Sequence, residues 1–165
     1  MDIRIEDLSS RNVIYSLEVG PYAEKAKQAW NNLWDWYFGL PNPPAMKSCI
    51  GYGLDSPRII PADMLRYYAC MEMDTDAIED LQNDLPASMG RLSIPGGRYA
   101  IHQMKGPYQD MPQYFMKMHE EWLPSSDKVP DYSRPFLEIY LNNPNEVGIE
   151  NALTDLCMPI REDRI

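Results

Sequence analysis

Pro135-Phe136-Leu137-Glu138-Ile139-Tyr140-Leu141-Asn142 is the most regular apolar run in this chain. Its aromatic and branched residues suit a pleated surface, and Asn142-Asn143-Pro144 stops the run, so a strand is predicted. Strand side chains alternate between faces. Leu137, Ile139 and Leu141 then share one face, which is expected to be core. Phe136, Glu138 and Tyr140 share the other, where a single carboxylate stands between two aromatic rings.

Upstream lies Gly106-Pro107-Tyr108, and Gly20-Pro21-Tyr22 stands 86 residues before it (106 − 20). Glycine permits unusual backbone angles and proline cannot continue a ladder, so both triplets read as turns. Each follows a predicted strand, 12–19 and 98–105, and precedes a predicted helix. In the first helix, 23–38, residues Ala26, Trp30, Leu33, Trp34 and Tyr37 fall at helical spacing, and Gly39-Leu40-Pro41 ends it. The second, 111–122, starts with Asp110 and Gln113 at capping-box spacing and carries the stripe Phe115, Met118, Trp122. Beyond the helices the shift becomes 87 (137 − 50), and Leu137, Ile139 and Leu141 fall on Ile50, Tyr52 and Leu54. Cys157-Met158 likewise falls on Cys70-Met71, which places predicted strands at 48–54 and 65–73. A shorter alternation at 3–6 predicts one more strand.

This agreement in order predicts a duplicated strand-helix-strand-strand unit: an α+β fold with an antiparallel sheet and a helix per copy. The copies span 1–73 and 91–165, joined by an acidic connector at 74–90. At the same shift Glu138 falls on Gly51 and Tyr140 on Gly53, so that face of the first copy is nearly bare. Two accounts stay open for these glycines: a close backbone approach, or room left for a ligand.

At 165 residues with 44% hydrophobic content, the chain can bury a full domain core. A formal net charge of −10 argues against binding along nucleic-acid phosphates, which lysine and arginine must neutralise. No apolar run approaches the ~20 residues needed to span a bilayer, and no secretory signal opens the sequence. Cys49, Cys70 and Cys157 are too few and too widely spaced for a disulfide framework, so the expected compartment is the cytoplasm. His102 and His119 have no partner at zinc-ligand spacing, so no metal and no cofactor are expected.

The chain resembles the GyrI-like small-molecule-binding domains, found alone or within multidrug-responsive transcription activators. The resemblance rests on Val19-Gly20-Pro21-Tyr22, on Gly96-Gly97-Arg98-Tyr99-Ala100 and above all on the strand carrying Glu138. It implies a cleft at the pseudo-twofold junction of the copies, lined by aromatics around one buried glutamate, which by position is Glu138. No DNA-binding segment precedes the domain in this sequence, so a stand-alone form is expected. Tyr140, Phe136, Gly51, Gly53, Tyr15, Tyr68 and Tyr99 are the other candidates for ligand contact.

A carboxylate in an apolar pocket is costly unless it takes a proton or meets a cation. An aromatic cation would supply the charge and stack on the rings. The first reading is therefore a binder of amphipathic, cationic or aromatic small molecules, acting by sequestration, by sensing or through a partner. DNA gyrase or a separately encoded regulator are the partners the resemblance implies. The alternative, which the same resemblance implies, is a hydrolase that opens strained cyclopropane-type toxins, with Glu138 as general base on water and Tyr140 or another cleft tyrosine as hydrogen-bond donor.

Overall fold

The computed structural model describes residues 1–161. In chain order the described residues form β1 (Arg4–Leu8), β2 (Arg11–Val19), α1 (Tyr22–Phe38), β3 (Ser48–Gly53), β4 (Arg66–Glu72), α2 (Thr75–Leu81), β5 (Met89–Ile94) and β6 (Gly97–Lys105). They continue with α3 (Met111–Lys117), a π-helical turn (Met118–Trp122), α4 (Leu123–Ser125), β7 (Val129–Pro130), β8 (Leu137–Tyr140), α5 (Pro144–Val147) and β9 (Leu153–Arg161).

These elements form two compact units, residues 10–94 and residues 1–9 together with 95–161. In the first unit the antiparallel order is β3-β4-β2-β5. In the second it is β1-β6-β9-β8, with β7 beside β9. The fold is α+β with antiparallel strands, and unit boundaries follow strand pairing rather than the linear repeat. β1 leaves its sequence neighbour β2 and pairs with β6, while β5 pairs with β2.

Apolar periodicity explains the packing of α1. Ala29, Leu33 and Tyr37 recur every four residues and lie against Ile14, Tyr67, Ala69 and Met71 of one sheet face. Gly39 ends the helix, its N–H bonded to the carbonyls of Asp35 and Trp36. The acidic stretch after β4 contains α2, whose Ile78 is buried in the same cluster. In the second unit Ala100, Met104, Leu156 and Met158 of one sheet face meet Met118, with Met111, Phe115 and Trp122 around them.

Three expectations are corrected. The helix predicted over 111–122 is not uniformly α: the Leu123 N–H reaches back five residues to the Met118 carbonyl, and the helix runs on to Ser125. Pro124 has no N–H to give and crowds the preceding turn, which accounts for the widened register. Leu141 lies outside β8 and is 44% exposed, not core. There the Asn142 side chain takes over the ladder to β9, accepting from the Leu153 N–H at 2.9 Å and donating to the Asn151 carbonyl at 3.0 Å. Finally, 89–94 is a strand that its weak alternation did not announce; only Met89 and Ile94 in it are buried.

Candidate functional site

Directly opposed residues in an antiparallel pair point to the same face. Glu138 opposes Leu156 and Tyr140 opposes Thr154, which in turn opposes Met104. Leu156 and Met104 belong to the helix-packed cluster, so Glu138 and Tyr140 lie on the helix-covered face of their sheet. Leu137 and Ile139, opposite Cys157 and Asp155, are buried on the other face. Both Glu138 and Tyr140 are half-buried, and the Tyr140 hydroxyl donates to Glu138 Oε2 at 2.7 Å. A bond from residue i+2 to i along one strand face locks the carboxylate and the phenol together.

A third residue joins them. The Tyr108 ring meets the Tyr140 ring edge to face, centroids 5.2 Å apart and planes at 78°. Tyr108 follows the turn at Gly106, whose φ of 128° favours glycine and whose N–H is bonded to the Ala152 carbonyl at 2.9 Å. From sequence this triplet reads only as a turn. Its counterpart tyrosine, 86 residues earlier (108 − 22), was the available signal. Phe136 precedes the strand and packs into the helix-side core, 6.2 Å from Phe115 and stacked on Tyr132 at 6.3 Å.

In the other unit Gly51 opposes Ala69 and Gly53 opposes Tyr67, again on the helix-covered face. The space above Gly53 is filled. A Cβ there would stand 2.5 Å from Cζ of Tyr22. That ring is held by its hydroxyl, which donates to the Asp55 carbonyl at 2.6 Å and accepts from the Asp55 N–H at 2.9 Å. Close approach therefore accounts for Gly53. Gly53→Ala is expected to cost about 1–3 kcal/mol, the usual penalty of overpacking against a group that cannot yield. In a Tyr22→Ala background, where no ring stands over Gly53, the same substitution should cost little; thermal denaturation of the four proteins of this cycle would show it.

Tyr15 and Tyr68 lie on the opposite face of that sheet from Gly51 and Gly53, because Tyr15 opposes Cys70 and Tyr68 opposes Tyr52. There Tyr68 stacks on buried Tyr52 at 5.0 Å and takes the edge of Tyr15 at 5.2 Å, and burial pushes the Tyr68 phenol up. Tyr99 is fully buried, its phenol raised by burial, with the Arg134 guanidinium 4.8 Å from its ring centroid. Of the candidates, the structure brings Glu138 and Tyr140 into direct contact. It sets Phe136 into the neighbouring core and Tyr99 into the interior of the second unit.

Antiparallel strands packed by a helix, with a Gly-Pro-Tyr turn after β2 in one unit and after β6 in the other, make this an α+β domain. The chain belongs to the family described as the GyrI-like small molecule binding domain, whose family model matches residues 1–161. A protein named DNA gyrase inhibitor from Pectobacterium carotovorum subsp. carotovorum (strain PC1) is 32% identical over 104 residues, 61% of this chain and 62% of that protein. The EcmrR C-terminal domain superposes with a TM-score of 0.77 at 11% identity, covering 98% of both chains. In the EcmrR–DNA complex this chain matches 58% of the longer EcmrR chain, with a TM-score of 0.74 at 12% identity. SAV2435, solved bound to tetraphenylphosphonium, has a TM-score of 0.62 at 16% identity, covering 98% of this chain and 94% of its own. Among the described residues no helix is long and apolar enough to cross a membrane.

Proposed function

We propose that the chain binds amphipathic aromatic cations, with Glu138 as the charge that receives them and Tyr140 as the adjoining ring. The observation that carries this reading is the Tyr140–Glu138 hydrogen bond of 2.7 Å on a half-buried strand face. A carboxylate fixed in this way presents its charge without having to be ordered again on binding, and the neighbouring aromatic face attracts the same cation. The tetraphenylphosphonium bound by SAV2435 is a ligand of this chemistry. Capture of such compounds would serve sequestration or sensing in the cytoplasm. The gyrase-inhibitor relative makes DNA gyrase the first protein partner to try.

Titration with crystal violet tests this. Glu138→Gln keeps the shape and the hydrogen bond but removes the charge, and is expected to weaken binding roughly ten- to a hundredfold, the usual weight of a charged contact. The uncharged leuco form of the dye should bind both proteins alike. Equal affinity of the two proteins for the cation would sink the assignment.

The same pair supports a second reading, since a phenol donor beside a carboxylate is also the minimum for activating water toward a strained electrophile. Turnover of a cyclopropane-type electrophile, lost in Glu138→Gln, would favour the hydrolase. Stoichiometric binding without product would favour the receptor.

A further inference from the structure

The Gly-Pro-Tyr turn performs one mechanical task in both units. In the first, Gly20 has φ 141° and its N–H is bonded to the Leu65 carbonyl at 2.8 Å. In the second, Gly106 has φ 128° and its N–H is bonded to the Ala152 carbonyl at 2.9 Å. The strand each turn faces ends alike: the Leu54 N–H bonds the Arg66 carbonyl, and the Leu141 N–H bonds the Leu153 carbonyl, both at 2.9 Å. Gly53 and Tyr140 immediately precede these two residues, so they hold equivalent strand positions.

In both units the turn therefore presses a tyrosine ring onto the same place, the last residue of the strand it faces, β3 in one and β8 in the other. Over Gly53 the Tyr22 ring settles against the backbone. Over Tyr140 there is a side chain, and the Tyr108 ring meets it edge-on at 5.2 Å and 78°. Such a contact between aromatic rings restricts the torsions of the ring it braces. What Tyr140 does with its fixed position is donate its hydroxyl to Glu138 at 2.7 Å.

From this we infer that Tyr108 is a positioning residue: through Tyr140 it sets where the Glu138 carboxylate stands. The inference rests on the proposed cation site for its functional consequence, while its structural content is independent of any ligand. A ring is what the task needs, so Tyr108→Phe should preserve it and Tyr108→Leu should not. Should the leucine variant fold poorly, Tyr108→Met keeps an unbranched apolar side chain there.

Two measurements test it. With tyrosine labelled at 13Cζ, the Tyr140 resonance is assigned by its disappearance in Tyr140→Phe, and it reports the hydrogen bond to Glu138 in the ligand-free protein. It is expected to move in Tyr108→Leu and to stay in Tyr108→Phe. An unmoved resonance in the leucine variant overturns the inference, whatever the protein binds. Crystal violet affinity is the second. Tyr108→Leu should weaken it roughly three- to tenfold, the weight of one edge-to-face contact, and Tyr108→Phe should leave it near wild type. In a Tyr140→Phe background the leucine substitution should add little, because the Tyr140–Glu138 bond that Tyr108 braces is gone. Equal losses in both backgrounds would show a merely structural role and overturn the inference. If the wild type ignores the dye while the resonance moves as stated, the cation reading fails and the positioning role stands.

Discussion

Replacing Arg134 with methionine is expected to lower stability by about 3 kcal/mol, the cost of leaving a carboxylate and two backbone carbonyls without their donor. Arg134 has a side chain only 12% exposed and ties three segments together. Nε donates to Asp131 Oδ2 at 2.8 Å, and Nη2 donates to the carbonyls of Arg98 at 3.1 Å and Ile160 at 3.0 Å. The guanidinium also covers the Tyr99 ring, and Nη1 would lie 2.5 Å from any Cβ at Gly97. That close approach, with φ of 138° at Gly97, is why a glycine starts β6. Methionine keeps the apolar stem, so the loss isolates the head group. Urea unfolding should show a lower midpoint at unchanged slope, and a cost under about 1 kcal/mol would contradict this account.

The same residue sets a pH dependence. The Ser133 hydroxyl first, and then Arg134, hold the Asp131 carboxyl down at about 2, against an ordinary value of 3.8. A carboxyl lowered on folding adds stability above its unfolded value, and that stability disappears as pH falls through the folded one. The gap between wild type and Arg134→Met should therefore narrow as pH drops from 3.8 to about 2. A gap that is constant across this window would mean that Arg134 does not act through Asp131.

How much of this was legible beforehand depends on which physical signal carries it. Parity within a strand is local, so Leu137 and Ile139 were placed correctly on one face and Glu138 with Tyr140 on the other. Parity between strands needs the register, and a slip of one residue reverses every face. That is why the sequence names Tyr15 and Tyr68 beside Gly51 and Gly53 as candidates without showing that the two pairs point to opposite sides of one sheet. The helical stripe on α1 was visible because 3.6-residue periodicity survives in any context. The partner of β1 was not, because five residues with one apolar alternation carry no information about which distant edge they will join. Leu141 failed for a related reason: the Asn142 side chain, not hydrophobicity, ends the ladder there. Tyr108 was hidden in plain view, since a turn motif advertises backbone shape and says nothing about which ring lies opposite.

The second large effect concerns that N-terminal strand. Arg4→Met is expected to destabilise the protein by about 2–3 kcal/mol, somewhat below the usual penalty for orphaning a buried charge. Arg4 forks onto Asp155 of β9, with Nη2 2.5 Å from Oδ2 and Nη1 3.3 Å from Oδ1, while Nε reaches Glu6 at 3.0 Å. The two ends of the pair differ: the Asp155 side chain is 9% exposed and that of Arg4 is 42% exposed. Water already reaches the guanidinium, so the pair itself gains little; the loss comes from leaving the carboxylate buried without its fork. This asymmetry makes a stricter test possible. Arg4→Met combined with Asp155→Leu removes both charges and fills the site with apolar atoms, and should recover to within about 1 kcal/mol of wild type. Asp155→Leu alone leaves an arginine that can turn to water, and should cost less than Arg4→Met. If instead the double variant is as unstable as Arg4→Met, then β1 is held to β6 and β9 by the pair's own attraction, and the desolvation argument for Asp155 is wrong.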